Sequence, residues 1–135
     1  MTKKKGKKRK LLSLASLKRK CDAAFSRYIR TRDIDRNGDG ECVCCHARMA
    51  WKDLQAGHFI SRVYLSTRYN EINVQPVCYA CNVLRSGNLA EMAAWLQRTY
   101  GMGVIETLLA EKRKTVKFSR DDYTSMIERF SKEEE

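Results

Sequence analysis

Histidine is scarce in this chain: there are two in 135 residues, His46 and His58, so any chemistry that needs an imidazole has two addresses. Proline is scarcer still, with Pro76 alone. No apolar run approaches the roughly 20 residues needed to cross a bilayer, and the N-terminus lacks the apolar segment of a signal peptide because its charges lead directly into the mixed sequence LLSLASLKRK. A cytoplasmic protein without a membrane partner is therefore expected. Acidic residues are missing from residues 1–20, which hold ten of the 27 lysines and arginines.

That last absence explains the charge. The formal net charge is +11, yet outside the first 20 residues 17 basic residues face 16 acidic ones. The body is close to neutral and the N-terminus is a polycation. A run such as Lys3, Lys4, Lys5, Lys7, Lys8, Arg9 and Lys10 repels itself and cannot be buried, so residues 1–12 are expected to form a disordered basic tail. Nucleic acid is the natural partner of such a tail, because cations that neutralise phosphates release condensed counterions without reading sequence. A solubilising or targeting tail is the alternative reading.

Past the tail, Leu14, Leu17, Cys21, Ala24, Phe25, Tyr28 and Ile29 recur every three or four residues, which predicts a helix over Ser13–Arg32. It stops in DIDRNGDGE, a stretch rich in turn-forming residues. Asp33, Asp35, Asn37 and Gly38 have the offsets of a calcium-binding loop, but the twelfth position is Cys44 where a bidentate Glu is needed, so a solvated turn is expected. Short strands are predicted around Arg48–Trp51, Gln55–Ile60 and Asn73–Pro76. Helices are predicted from Tyr79 to about Arg85, then over Leu89–Tyr100, Val104–Lys112 and Asp121–Phe130, the last preceded by a capping box of Ser119 with Asp122. There is no internal repeat. Trp51, Trp95 and Tyr100 fall within apolar patterns and are expected in the core.

Six cysteines in a reducing compartment point to metal binding in preference to disulfides. ECVCCH and VCYACN each contain a C-x-x-C pair, Cys42 with Cys45 and Cys78 with Cys81. Two residues between thiols allow a tight knuckle to turn both sulfurs toward one ion, and two knuckles complete a tetrahedral four-sulfur shell suited to structural Zn²⁺. Cys44 and His46 are alternative ligands beside the first knuckle, and Cys21 belongs to the apolar face of the first helix. The 32 residues between the knuckles exceed what a compact zinc finger needs, so a substantial insert is held there, and it contains His58.

Within that frame the order Gly57-His58-Phe59, then Asn73, then Cys78-Tyr79-Ala80-Cys81-Asn82 resembles the HNH, or ββα-metal, nuclease motif in its H-N-N form. The bracketing knuckles resemble those of the endonuclease VII group of phage Holliday-junction resolvases. SRYIRTRD, CVCC, AGHFISR, QPVCYACN and SGN, over roughly residues 17–100, are similar to the lambda NinG/Rap family of phage recombination nucleases.

The resemblance implies an α+β fold: a small zinc-stabilised ββα-metal (HNH) core, about residues 40–88, flanked by an N-terminal helix and C-terminal helices in one domain over 13–135. It implies a metal-dependent DNA endonuclease acting on branched recombination intermediates such as Holliday junctions or D-loops, phage- or prophage-encoded and working in the host cytoplasm. His58 would be the general base, Asn82 would offer its amide oxygen to catalytic Mg²⁺ or Mn²⁺, and Asn73 would brace the loop that aims His58. Arg62 and the tail lysines and arginines would contact DNA. Asn88 would cap the next helix or join the site, with capping the favoured role.

One position departs from the pattern. Resolvase-type HNH enzymes place an Asp before the histidine as a second metal ligand, and here that residue is Gly57. Gln55, Asp53 or Glu71 would then have to reach in, or the ion would be held by one side chain with water and substrate. Gly57 also keeps open a second reading, a non-catalytic zinc-binding DNA adaptor or regulator on a degenerate HNH frame. Two strands brought across a junction would favour a homodimer, through the N-terminal helix or the C-terminal helices.

Overall fold

The structure is a computed structural model that describes residues 11–132. Its long first helix, α1, spans Leu14–Thr31. Ser13 starts it by accepting the Ser16 amide on its hydroxyl at 3.1 Å, and Leu17, Cys21, Phe25 and Ile29 bury one face at four-residue intervals. Burial of each large side chain contributes about 1.5–3 kcal/mol relative to leaving it in water.

The expected turn is present over residues 32–38, and the end of the same stretch, from Asp39, is a strand. The Asp35 carboxylate accepts the amides of Asn37 and Asp39 at 2.9 and 3.0 Å and pairs with Arg48 at 2.8 Å, so it is occupied in closing the turn. β1 (Asp39–Glu41) then pairs antiparallel with β2 (Arg48–Ala50), with Gly40 opposite Met49. Turn-prone composition concealed β1, whose strand character comes from its cross-strand partner.

A single 3-10 turn, Trp51–Asp53, leads to β3 (Leu54–His58), which pairs antiparallel with β4 (Val74–Cys78), Leu54 opposite Cys78 and His58 opposite Val74. Between them lies α2, Leu65–Arg68, which no periodic pattern announced. Every residue of β4 is buried. Pro76 lacks an N–H, but its carbonyl accepts the Val43 amide at 3.1 Å and ties the β1–β2 loop to the second sheet. The helix expected after Tyr79 is a π-helical turn, Ala80–Leu84.

α3 (Leu89–Tyr100) and α4 (Val104–Lys112) are separated at Gly101, whose φ of +103° suits glycine. Their residues Met92, Leu96, Val104 and Leu108 share a core with Cys42, Val43, Leu54 and Val77. α5 (Arg120–Lys132) carries the expected capping box: Ser119 N–H donates to Asp122 at 2.8 Å and Asp122 N–H to Ser119 at 3.1 Å. It packs on α1 through Phe130, whose ring centroid is 4.8 Å from Phe25 and 5.3 Å from Tyr28.

The result is a mixed α+β molecule with two small two-stranded sheets among helices. Trp51 and Trp95 are half-buried. Tyr100 corrects the expectation of a core residue, since it is 44% exposed at the end of α3. Among the described residues no helix is long and apolar enough to cross a membrane. Lys3, Lys4, Lys5, Lys7, Lys8, Arg9 and Lys10 lie outside the described residues.

Candidate functional site

The first knuckle is the loop joining β1 to β2. It turns back on itself through the His46 amide bonded to the Cys42 carbonyl at 2.8 Å, with His46 at a φ of +67°. The second begins on the last residue of β4 and continues into the π-helical turn. The sulfurs of Cys42, Cys45, Cys78 and Cys81 come within 4.8 Å of one another, with Cys45 and Cys78 at 3.7 Å. Four thiolates about 2.3 Å from a tetrahedral ion stand about 3.8 Å apart, so the four cysteines are positioned to bind a metal ion and their spacing is consistent with Zn²⁺.

Donors surround this sulfur cluster. The Cys81 amide points at Cys78 Sγ at 3.4 Å, and Arg85 and Asn88 donate to Cys81 Sγ at 3.4 and 3.5 Å. Burial works against ionisation of Cys81, yet bonds from Asn88, Cys78 and Arg85 outweigh it and lower the thiol pKa. Asn88 therefore corrects the capping expectation. It sits in the left-handed region at φ +46° with no side-chain cap bond, and its amide serves the metal-binding sulfur. Cys44 is buried with its thiol facing the Gly87 and Asn88 carbonyls at 3.9 and 3.8 Å, and burial pushes its pKa up to about 12. His46 points away toward Glu41 at 3.7 Å. Neither alternative ligand joins the cluster.

His58 and Asn82 line one cavity of about 350 Å³, together with Asp22, Ser26, Arg62 and Arg68. The His58 ring Nε2 is 3.0 Å from the Arg68 carbonyl. A carbonyl only accepts, so Nε2 carries the hydrogen and Nδ1 the lone pair. Burial lowers the His58 pKa from its ordinary value, and the positive charges of Arg62 and Arg68 add to that, against a raising effect of the bond to the Arg68 carbonyl and of Asp22.

Asn73 is fully buried behind the cavity. Its Oδ1 accepts the Ile60 amide at 2.8 Å and its Nδ2 donates to the Ile60 and Thr67 carbonyls at 3.1 and 3.0 Å, joining the two ends of the β3–β4 connection. Asn82 donates Nδ2 to Gln55 Oε1 at 2.7 Å, which leaves its oxygen as the atom able to take a ligand. Gln55 thus reaches Asn82, whereas Glu71 is engaged by Arg129 at 3.0 Å and Asp53 does not line the cavity.

At Gly57 a Cβ would lie 2.6 Å from Val77 Cγ2 and 3.2 Å from Cγ1. A side chain at this position would require the Val77 side chain to shift.

No motif or spacing pointed to the acid that does line the cavity. Asp22 of α1 accepts Arg68 Nε at 2.8 Å and Nη2 at 2.6 Å, and the Tyr69 hydroxyl at 2.8 Å, while Arg62 Nη2 lies 3.6 Å away. Burial alone would raise its carboxyl, but Arg68 and Tyr69 prevail and hold it below the usual range. One clue was present: Asp22 is the sole acid in residues 1–32.

Fold and sulfur cluster define an α+β protein with four cysteines positioned to bind a metal ion between two small sheets. Residues 1–134 match the family model described as Bacteriophage Lambda NinG protein, and the chain belongs to that family. No curated protein and no solved structure matches it.

Proposed function

We propose that this chain is a metal-dependent DNA endonuclease of the HNH type that hydrolyses phosphodiester bonds in branched recombination intermediates. The observation that carries the proposal is the His58 ring, held by a main-chain carbonyl so that its basic nitrogen is free, in the same cavity as Asn82. NinG family membership supports it, as does the succession of paired strands and helical turn that presents the H-N-N residues.

In this reading His58 Nδ1 takes a proton from the water that attacks the phosphorus, and Asn73 keeps the connection beneath it from moving. Asn82 Oδ1 would hold Mg²⁺ or Mn²⁺, hard ions that accept amide oxygen and would neutralise charge on the scissile phosphate. Arg62, exposed at the cavity, and the N-terminal cations would grip the DNA backbone, which fixes position without reading bases. Zn²⁺ on the four cysteines would be structural. A phage origin implies work in the bacterial cytoplasm, and a junction substrate favours a homodimer.

The alternative is a DNA adaptor that binds without cutting, which the absence of an acid at Gly57 favours. Incubation with a four-way junction and with linear duplex in Mg²⁺ or Mn²⁺ separates the two. Wild type is expected to nick the junction and His58→Ala to bind without nicking. Binding without cleavage by wild type in both metals would leave the adaptor reading standing, and equal cutting by His58→Ala would remove His58 as the base.

A further inference from the structure

The acid in the cavity is not free to act as the ligand missing at Gly57. Both Asp22 oxygens are committed, Oδ1 to Arg68 Nε and the Tyr69 hydroxyl, Oδ2 to Arg68 Nη2. The third guanidinium nitrogen, Arg68 Nη1, donates to the Arg62 carbonyl at 2.7 Å and so closes the 62–68 segment on itself. Arg68 has a side chain only 8% exposed, and its main-chain carbonyl is the group that receives the His58 ring hydrogen. A buried guanidinium bonded through three of its nitrogens is held firmly, and its pairing with the partly buried Asp22 is more readily explained by what it fixes than by net stability.

We propose that Asp22 is a positioning residue for the His58 base: through the Arg68 fork it fixes the carbonyl that sets the imidazole tautomer, and it holds Arg62 at the cavity mouth facing the DNA phosphate. The proposal rests on the nuclease reading and deepens it. It makes α1, outside the H-N-N motif, part of the site. Losing the clamp lets the 62–68 segment shift, and a misplacement of about 1 Å at a reacting group can cost about a hundredfold in rate.

Asp22→Asn keeps the shape and removes the charge. In full-length zinc-loaded protein without added Mg²⁺ or Mn²⁺, imidazole proton–nitrogen NMR reads the tautomer and titration of His58. The charged groups facing His58 are Asp22 from α1 and Arg62 and Arg68 from the β3–β4 connection. Taking away the one negative charge among them is expected to lower the His58 pKa further and to give a mixed tautomer. A merely loosened fold would let water in and move that pKa up toward its ordinary value. On junction DNA in Mn²⁺, kcat is expected to fall about tenfold or more with a smaller change in KM, and the Mn²⁺ concentration for half-maximal rate to stay put.

A His58 pKa equal to or above that of wild type, or a weakened Mn²⁺ dependence with an unchanged tautomer, would overturn the proposal. If Asp22→Asn does not fold, Arg68→Lys decides, since an ammonium keeps the charge but cannot span both carboxylate oxygens and the Arg62 carbonyl. Wild-type kcat and tautomer in that variant would also refute the clamp. Should wild type cut no DNA at all, the nuclease reading fails, and the NMR result still decides whether Asp22 fixes the imidazole.

Discussion

Val77 Cγ2 stands 2.6 Å from where a Cβ on Gly57 would be. The position at which a second metal ligand was sought is thus filled by the neighbouring strand, and the glycine is there for packing.

Gly57→Asp is therefore expected to destabilise the protein by about 1–3 kcal/mol, the usual cost of overpacking, and to leave divalent-cation dependence no better than wild type. Thermal melts check the first point. In the double variant with Val77→Ala the loss should be less than the sum of the two single losses, because the smaller side chain yields the needed space.

Removing the metal should dismantle more than the sulfur cluster. Cys78→Ser, or a strong chelator, is expected to abolish the cooperative melt and to empty the site, as binding free energy of a structural Zn²⁺ is folding free energy. Metal analysis alongside circular dichroism tests this. An unchanged melt with full zinc content would show that Cys78 is not a ligand.

A base must be neutral to accept a proton. Burial lowers the His58 pKa, so His58 stays neutral to lower pH than an exposed histidine, and its loss of function comes on the acid side. The expected profile of kcat/KM falls off below about 6.5, the ordinary value; a fall centred above it would mean that another group supplies the base.

Asn73→Ala removes three hydrogen bonds at a fully buried site and leaves the Ile60 amide and the Ile60 and Thr67 carbonyls without that partner. A loss of about 2–6 kcal/mol is expected, since the Ile60 amide and carbonyl each cost about 1–3 kcal/mol when left unpaired, while the Thr67 carbonyl keeps the Asn70 amide. The midpoint of urea unfolding reads it. A loss under about 1 kcal/mol would show that these bonds contribute little.

Deleting residues 2–10 removes seven lysines and arginines. The slope of log affinity against log salt should flatten by about 0.9 for each phosphate that the shortened chain no longer neutralises. Cleavage at low salt should persist. An unaltered slope would show that the tail does not touch DNA.

Several elements are legible in the sequence because local pattern and tertiary role agree in them. α1 announces its length through one apolar face and a serine cap, and α5 through its capping box. The two C-x-x-C pairs announce the sulfur cluster because the knuckle is a short-range device. β1 is hidden because Asp39 and Gly40 favour turns in isolation and become strand only beside Met49 and Ala50. Asn88 misleads because a residue before a helix reads as a cap, while its sulfur partner is seven positions away. The Asp22–Arg68 pair spans 46 residues, and nothing local in either neighbourhood marks it.

The sulfur cluster also ties together segments far apart in sequence. Cys45 and Cys78, with sulfurs 3.7 Å apart, bring together the ends of a stretch of chain with His58 and Asn73 inside it. A metal ion on the four thiols would offset part of the entropy of closing it. Loss of such an ion would free both ends of the stretch that carries His58 and Asn73 at once, so the cavity and the sulfur cluster would be lost together.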